Sequence, residues 1–94
     1  ELHTGAYCDF HAEGKAAERD AELSRLTDMA SFAHSLGLEV HAGHGLTYDT
    51  VQPVAALPEV RELNIGHFLI GEAIFLGLDP AIREMRRLMD AARA

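Results

Sequence analysis

The feature that most constrains the fold is a pair of short apolar segments that each lead into a Gly-His sequence. Residues 38–40 precede His-Ala-Gly-His-Gly-Leu-Thr-Tyr at residues 41–48. Further along, residues 63–67 are Leu-Asn-Ile-Gly-His, and an apolar stretch follows. Short apolar runs bounded by glycine are typical of buried strands. The sequence therefore predicts two strands, each followed by a glycine-rich turn and a helix.

Helical and strand-like segments alternate along the whole chain. The predicted order is a strand end at residues 1–4, a loop at 6–12, a helix at 15–36, a strand at 38–42, a short helix at 51–57, a strand at 61–65, a helix from about 68 and a last helix from 79. Strands that alternate with helices predict right-handed βαβ units and a parallel sheet.

Apolar residues at helical spacing predict the buried face of each long helix. The predicted buried residues of the first helix are Ala16, Leu23, Leu26, Met29, Ala30, Phe32, Ala33 and Leu36, and those of the last helix are Ile82, Met85, Leu88, Met89 and Ala92. The arginines of the last helix, Arg93 included, are expected to face solvent or an oligomer contact. Gly37 is expected to end the first helix.

Two helix starts carry residues that commonly cap helices. Thr50 or Asp49 is expected to cap the short helix, and Asp79 followed by Pro80 is expected to start the last one as N-cap and first residue.

Three parallel strands with helices on one side leave one face of the sheet uncovered. The segment is therefore expected to belong to a closed barrel or to need a second chain. Glycine-rich turns after two successive strands match the phosphate site of (β/α)₈ barrels, which lies after strands seven and eight. The predicted fold class is α/β, with residues 1–94 forming the C-terminal part of a single TIM-barrel domain, from the end of strand six to the final helix.

Composition excludes several classes of protein. Of the 94 residues, 48% are hydrophobic and 24% charged, which is typical of a globular domain. The net charge of −7 argues against a nucleic-acid partner. No apolar run reaches the roughly 18–20 residues of a membrane span. The single cysteine, Cys8, cannot form an internal disulfide and fits the reducing cytoplasm.

The two turns carry residues suited to proton transfer and anion binding. A histidine such as His44, held at a strand end, can exchange a proton near neutral pH. The amides at Gly45 and Gly66 can approach a phosphate closely, and a helix start after Gly66 favours negative charge. His67 can add a donor, and Glu1 can stabilise a developing positive charge.

Three motifs in this order resemble the pyridoxine 5′-phosphate synthase family. They are Glu-Leu-His-Thr-Gly at residues 1–5, Gly-His-Gly-Leu-Thr-Tyr at 43–48 and Glu-Leu-Asn-Ile-Gly-His at 62–67, and the tail Arg-Arg-Leu-Met at 86–89 fits as well. The resemblance implies a TIM barrel that assembles as an octamer. It also implies condensation of 3-amino-2-oxopropyl phosphate with 1-deoxy-D-xylulose 5-phosphate to pyridoxine 5′-phosphate, phosphate and water, without a metal or organic cofactor.

Matched motif by motif, the resemblance assigns roles to residues of this chain. His44 matches the proton donor and Glu1 the residue that stabilises the transition state. Gly45, Gly66 and His67 match the site for the amino-ketone phosphate. The family's other bases, and an arginine and a threonine that hold substrate, lie in a part of its chain that these residues do not include, so the 94 residues alone are expected to fold poorly and to be inactive.

Two features depart from the family pattern. The segment at residues 8–14 is slightly long, and His41 stands where asparagine is expected. His3 and His41 are expected to be structural or to support the site, whereas His11 and His34 are expected to be solvated.

Three alternatives remain open at this point. The chain can belong to another phosphate-binding barrel, such as an aldolase or epimerase. It can be a non-enzymatic half-barrel that dimerises to close its sheet. A metal hydrolase with ligands His3, His41 and His44 is a further alternative, which the lack of a His-x-His or His-Glu-x-x-His pair disfavours.

Overall fold

The computed structural model describes all residues 1–94 and shows a three-stranded parallel sheet with five helices. The elements are β1 (Leu2–His3), α1 (Gly5–Ala12), α2 (Ala16–Ser35), β2 (Val40–Gly43), α3 (Val51–Ala55), β3 (Val60–Asn64), α4 (His67–Leu76) and α5 (Leu78–Ala92). None of these helices combines the length and the apolar character that crossing a membrane requires.

The strands lie in chain order, β1-β2-β3, and both pairs are parallel. His3 pairs with Gly43, and Gly43 pairs with Asn64, so the three strands end level with one another. The register shifts between Val40 and His41, where β2 pairs irregularly with β3. As in other parallel sheets, the loops after the strands therefore meet at one edge.

The hydrophobic core lies on one face of the sheet. Its members, from strands, helices and the turn after β2, are Tyr7, Cys8, Leu26, Ala30, Val40, Ala42, Leu46, Val54, Leu57 and Val60. On the opposite face the period of two places Glu62 beside His41, and Glu1 hydrogen-bonds Asn64. One face is thus apolar and covered by helices, whereas the other is polar and open.

The predicted parallel sheet and most predicted elements are confirmed. The helix expected at residues 15–36 is α2, and Gly37 follows it with a φ of +82°, as expected for a glycine that ends a helix. The strands expected at 38–42 and 61–65 are β2 and β3, with bounds that differ by one or two residues. The short helix expected at 51–57 ends earlier, at Ala55.

The prediction of a loop at residues 6–12 was wrong, because α1 spans Gly5–Ala12. This helix has little amphipathic pattern, and long-range contacts hold it. Tyr7 is buried, and its hydroxyl donates a hydrogen bond to the carbonyl of Thr50 at 2.9 Å. A helix this short is marginal in water, so packing against α2 and the β2–α3 turn decides its conformation.

Neither predicted side-chain cap is made. Thr50 occupies the N-cap position of α3, but its hydroxyl accepts a hydrogen bond from the amide of Thr47 at 2.9 Å instead. The cap position of α5 is Gly77, not Asp79, and Asp79 lies in the first turn, where it pairs with Arg83. At α3 the cap is missing because the amide of Thr47 occupies the hydroxyl of Thr50. At α5 it is missing because the helix begins two residues earlier than predicted.

Several apolar side chains predicted to be buried are exposed. Leu26, Ala30 and Met85 are buried as predicted. The exposed ones in α2 and α5 are Met29, Phe32, Leu36 and Ile82. In α4 no residue is buried, although its sequence is too apolar for an ordinary surface helix. Phe75 on this helix is 85% exposed.

Arg93 is exposed, as predicted, but its guanidinium also binds the chain itself. Its guanidinium donates hydrogen bonds to the carbonyls of Ala55, Leu57, Pro58 and Val60, at 2.7 to 3.4 Å. These carbonyls belong to the end of α3 and the start of β3, where backbone acceptors lack helical partners. Arg93 thereby fastens the C-terminal end of α5 to the connection between α3 and β3.

The lone cysteine, Cys8, lies on α1 and is buried against the turn after β2. Burial raises the pKa of the Cys8 thiol, and hydrogen bonds with Thr50 and Thr4 oppose that shift. Because the thiolate is the nucleophile, we expect Cys8 in the folded protein to react with iodoacetamide at pH 8 much more slowly than in urea. Peptide mapping by mass spectrometry measures this directly, and equal labelling rates in the two conditions would contradict the burial.

Candidate active site

The turns after β2 and β3 border one cleft at the C-terminal edge of the sheet. The cleft has a volume of about 550 Å³ and nine lining residues, which are Glu1, His44, Gly45, Leu46, Thr47, Asn64, Gly66, His67 and Phe68. Every residue predicted for the site is among them. The sequence motifs, which lie far apart in the chain, therefore meet at a single surface because the strands are parallel and end level.

His44 has a backbone conformation that is uncommon for a residue other than glycine. Its φ is +91°, and its side chain is exposed to the cleft. Backbone strain of this kind persists only where neighbouring contacts enforce it, and it is concentrated at functional sites. Here the hydroxyl of Thr4 donates a hydrogen bond to the carbonyl of His44 at 2.6 Å.

The rest of the turn is anchored in the core. Leu46 is 1% exposed and belongs to the hydrophobic cluster. Thr50 is also buried, and its hydroxyl binds the amide of Thr47. The imidazole thus projects from a turn that is fixed on both sides, which is what proton transfer in a set geometry requires.

Glu1 lies on the polar face of the sheet, at the rim of the cleft. The side-chain amide of Asn64, at the end of β3, donates a hydrogen bond to its carboxylate. This contact joins the two outer strands of the sheet across β2. It orients the carboxylate towards the cleft that Glu1 and Asn64 both line.

The other side of the cleft is formed by the start of α4. Gly66 occupies the N-cap position and His67 is the first helical residue. The amides of a first helical turn have no intrahelical partner, and the helix dipole favours an anion there. The ring of Tyr48 contacts Phe68 edge-on, at a centroid distance of 4.6 Å, and its hydroxyl binds the carbonyl of Ala81. These contacts tie the turn after β2 to α4 and α5.

Comparison with known proteins identifies the family of this chain. The family model described as "Pyridoxal phosphate biosynthesis protein PdxJ" matches residues 1–91. The chain belongs to the PdxJ family. It is similar to the pyridoxine 5′-phosphate synthases of Roseobacter denitrificans, with 84% identity over 94 residues, and of Ruegeria pomeroyi, with 82% over 94 residues. It is also 71% identical over 93 residues to the synthase of a Jannaschia species.

The matched region is a part of those relatives. The matches to the Roseobacter and Ruegeria proteins cover all of this chain, and the match to the Jannaschia protein covers 99% of it. It spans about 38% of the length of each relative. Membership of the PdxJ family therefore rests on nearly every residue of the chain.

The remaining histidines lie outside the cleft. The two ring nitrogens of His41 lie 2.6 Å from the carboxylate of Glu39 and 3.1 Å from that of Glu62. His34 is exposed, as predicted. His11, predicted to be solvated, is half-buried and lies 3.4 Å from the guanidinium of Arg19. The metal-binding set proposed from His3, His41 and His44 does not form, and no other group of three ligating side chains has metal-site geometry.

Asn64 is the site residue that sequence reasoning missed. It belongs to one of the motifs that resemble the PdxJ family, but no role was assigned to it. The sequence did contain one indication that Asn64 belongs to the site. Asn64 lies two residues after Glu62 at the end of a strand, and a period of two places both side chains on the polar face. Only the tertiary structure pairs it with Glu1.

The two glycines of the cleft allow a prediction that separates folding from binding. Gly45 has a φ of +80°, and an added Cβ would lie 3.3 Å from the Cβ of Cys8. Gly66 has a φ of −122°, and an added Cβ would meet no atom within 4 Å. We expect Gly45→Ala to destabilise the fold by about 1–2 kcal/mol. Gly66→Ala is expected to cost less than about 1 kcal/mol. If a phosphate binds at the start of α4, the added methyl group would occupy space beside it, and we expect binding to weaken about tenfold.

These variants are best measured in a protein of full family length. We define the Roseobacter hybrid as the Roseobacter denitrificans synthase in which residues 1–94 of this chain replace the matching segment. Thermal unfolding measures the stability change, and the KM of each phosphorylated substrate measures binding. An unchanged KM for Gly66→Ala, together with unchanged unfolding, would contradict a phosphate site at this glycine.

Proposed function

We propose that this segment forms the C-terminal part of a (β/α)₈ barrel that synthesises pyridoxine 5′-phosphate. The observation that carries the proposal is the single cleft that contains His44, Glu1 and both Gly-His turns. The 84% identity to a named synthase supports the same activity. The chain would extend from the end of strand six to the final helix, and the phosphate end of the site would lie after β2 and β3.

The sheet supports the barrel in two ways. The outer strands β1 and β3 each have one neighbour, so each leaves an edge at which a further strand can pair. The face without helices carries the polar side chains Glu1, His41, Glu62 and Asn64, which suits the lining of a barrel mouth better than a contact between apolar layers.

The substrate class is a small phosphorylated amino-ketone, 3-amino-2-oxopropyl phosphate, which condenses with 1-deoxy-D-xylulose 5-phosphate. In this proposal the phosphate of the amino-ketone binds at Gly45, Gly66 and His67. The supporting geometry is the start of α4, where free amides, the helix dipole and an exposed imidazole face the cleft. The net negative charge of the chain does not prevent this, because the field at a helix start is local.

Ring closure from two carbonyl compounds and an amine requires imine formation and repeated loss of water, and one of the two substrate phosphates must also leave as inorganic phosphate. Each loss needs a proton on the departing oxygen. In the proposal His44 donates this proton, from a ring that projects into the cleft on a fixed turn. The carboxylate of Glu1, oriented by Asn64, stabilises the positive charge of the iminium intermediate. No step requires a metal ion or an organic cofactor.

We further propose that the complete protein is a cytoplasmic homo-octamer. The support is the family resemblance, together with exposed apolar residues on α4, such as Ile74 and Phe75, that need a covering surface. Light scattering coupled to size-exclusion chromatography of the Roseobacter hybrid tests the assembly. A monomer at micromolar concentration would contradict it.

The activity is tested by incubating the Roseobacter hybrid with both substrates. We expect formation of pyridoxine 5′-phosphate and release of inorganic phosphate, both dependent on the presence of the two substrates. The matched control is the unmodified Roseobacter protein, assayed in parallel. A folded hybrid that binds phosphate but forms no product would contradict the synthase assignment. Phosphate release from one substrate alone would instead favour a different phosphate-binding barrel enzyme.

A further inference from the structure

The ring of His44 is stacked on a second imidazole that lies outside the cleft. The rings of His3 and His44 have a centroid distance of 4.4 Å and an interplanar angle of 25°. His44 lines the cleft, whereas His3 does not. His3 ends β1, and His44 follows β2, so the contact joins neighbouring strands at the point where both end.

His3 is itself held in place. The amide of Gly5 donates a hydrogen bond to its Nδ1 at 3.2 Å, and this contact helps to fix the orientation of the ring beside His44. The adjacent Thr4 is fully buried and binds the carbonyl of His44. Residues 3–5 thus fix both the backbone and the ring of His44.

Gly5 leaves the space that this arrangement needs. Its backbone does not have a positive φ, so the conformation alone does not require glycine. A Cβ added there would lie 2.5 Å from Cε1 of His3 and 2.9 Å from Cδ2 of His44. The two imidazoles therefore occupy the volume that any larger residue at position 5 would fill.

We propose that His3 is a positioning residue, whose stacked ring holds the imidazole of His44 in the orientation that points its proton into the cleft. This inference rests on the proposed function, since it assigns His3 a task through His44. A side chain on a turn has several staggered rotamers, and productive proton transfer requires one of them. The ring of His3 covers one side of the His44 ring and leaves the other side to the substrate.

The test compares three substitutions in the Roseobacter hybrid. His3→Ala removes the ring, His3→Phe keeps a flat ring without the Nδ1 acceptor, and His3→Leu keeps bulk without a flat ring. We expect His3→Ala and His3→Leu to lower kcat at least tenfold with the KM of both substrates changed less than twofold. We expect His3→Phe to recover most of kcat. Thermal unfolding of each variant shows whether the changes merely follow stability.

Two results would overturn the proposal. One is a kcat of His3→Ala within twofold of the parent. The other is a loss of kcat in His3→Phe that equals the loss in His3→Ala, because a flat ring would then be insufficient.

A readout that does not depend on activity separates this proposal from the proposed function. The ring current of His3 shifts the NMR resonance of the Hδ2 proton of His44. That shift should vanish in His3→Leu and persist in His3→Phe, and Gly5→Ala should change it by forcing the rings apart. An Hδ2 shift that is the same in all variants would overturn the stacking, whereas a hybrid without synthase activity but with the expected shifts would overturn only the proposed function.

Discussion

Replacing His44 with asparagine in the Roseobacter hybrid is expected to lower kcat about 10²- to 10⁴-fold. Asparagine cannot donate a proton in the way an imidazolium does, yet it tolerates the left-handed backbone that His44 adopts at φ +91°. The turn should therefore keep its structure, with Thr4 still bound to the carbonyl at position 44. Steady-state kinetics measure the loss, and the KM of both substrates should change much less than kcat.

The matched control is His34→Asn, which makes the same chemical change on the exposed side of α2, outside the cleft. It should leave kcat and thermal unfolding unchanged. A second variant, His44→Gly, removes the imidazole and relieves the backbone strain, so it should be as stable as the parent while remaining as slow as His44→Asn. A kcat within threefold of the parent in both His44 variants would show that this imidazole does not transfer the proton.

Replacing Arg93 with alanine is expected to destabilise the fold by about 2–3 kcal/mol. The guanidinium binds four carbonyls at the junction of α3 and β3, and their loss leaves acceptors such as the carbonyl of the buried Ala55 without that partner. Because the contributions of hydrogen bonds made by one group are not additive, this loss of stability is well below four times the contribution of a single hydrogen bond. In a protein of the family's length the melting temperature should fall by about 5–10 °C.

The matched control is Arg83→Ala on the same helix. Arg83 pairs with Asp79 where both side chains are more than three-quarters exposed, and such surface pairs contribute about 0.5 kcal/mol or less. Arg93→Lys should give an intermediate loss, since an ammonium group cannot reproduce the planar fork. Equal melting temperatures for Arg93→Ala and Arg83→Ala would show that the contacts of Arg93 do not support the fold.

The order and type of most elements follow from the sequence for a physical reason. Helical spacing in α2 and α5, and short apolar strands that end at glycine, are local patterns that few other conformations satisfy. The Gly-His turns also have a local origin, because glycine permits both the positive φ of Gly45 and the open start of α4 at Gly66. These local patterns are sufficient to predict His44, Gly45, Gly66 and His67 as site residues.

The errors share a different cause. The helix α1 has no clear local pattern and exists because Tyr7 and Cys8 pack against distant residues. Arg93 is exposed, as its sequence context predicts, but its hydrogen bonds to the chain were not predicted, because only the position of the α3–β3 connection provides those carbonyls. Phe32 and Leu36 lie on an apolar stripe, but they are exposed because no helix or strand of residues 1–94 packs over them.

The sequence by itself determined that this chain is α/β, that its strands are parallel, and that His44, Gly45, Gly66 and His67 lie on turns suited to proton transfer and anion binding. These properties depend on the periodicity of side chains and on the backbone freedom of glycine, which are local. Only the tertiary structure decided that Asn64 orients Glu1, that His3 stacks on His44, and that Arg93 fastens α5. The first two contacts join residues that meet because three strands pair in register, and the third depends on the packing of α5 against α3.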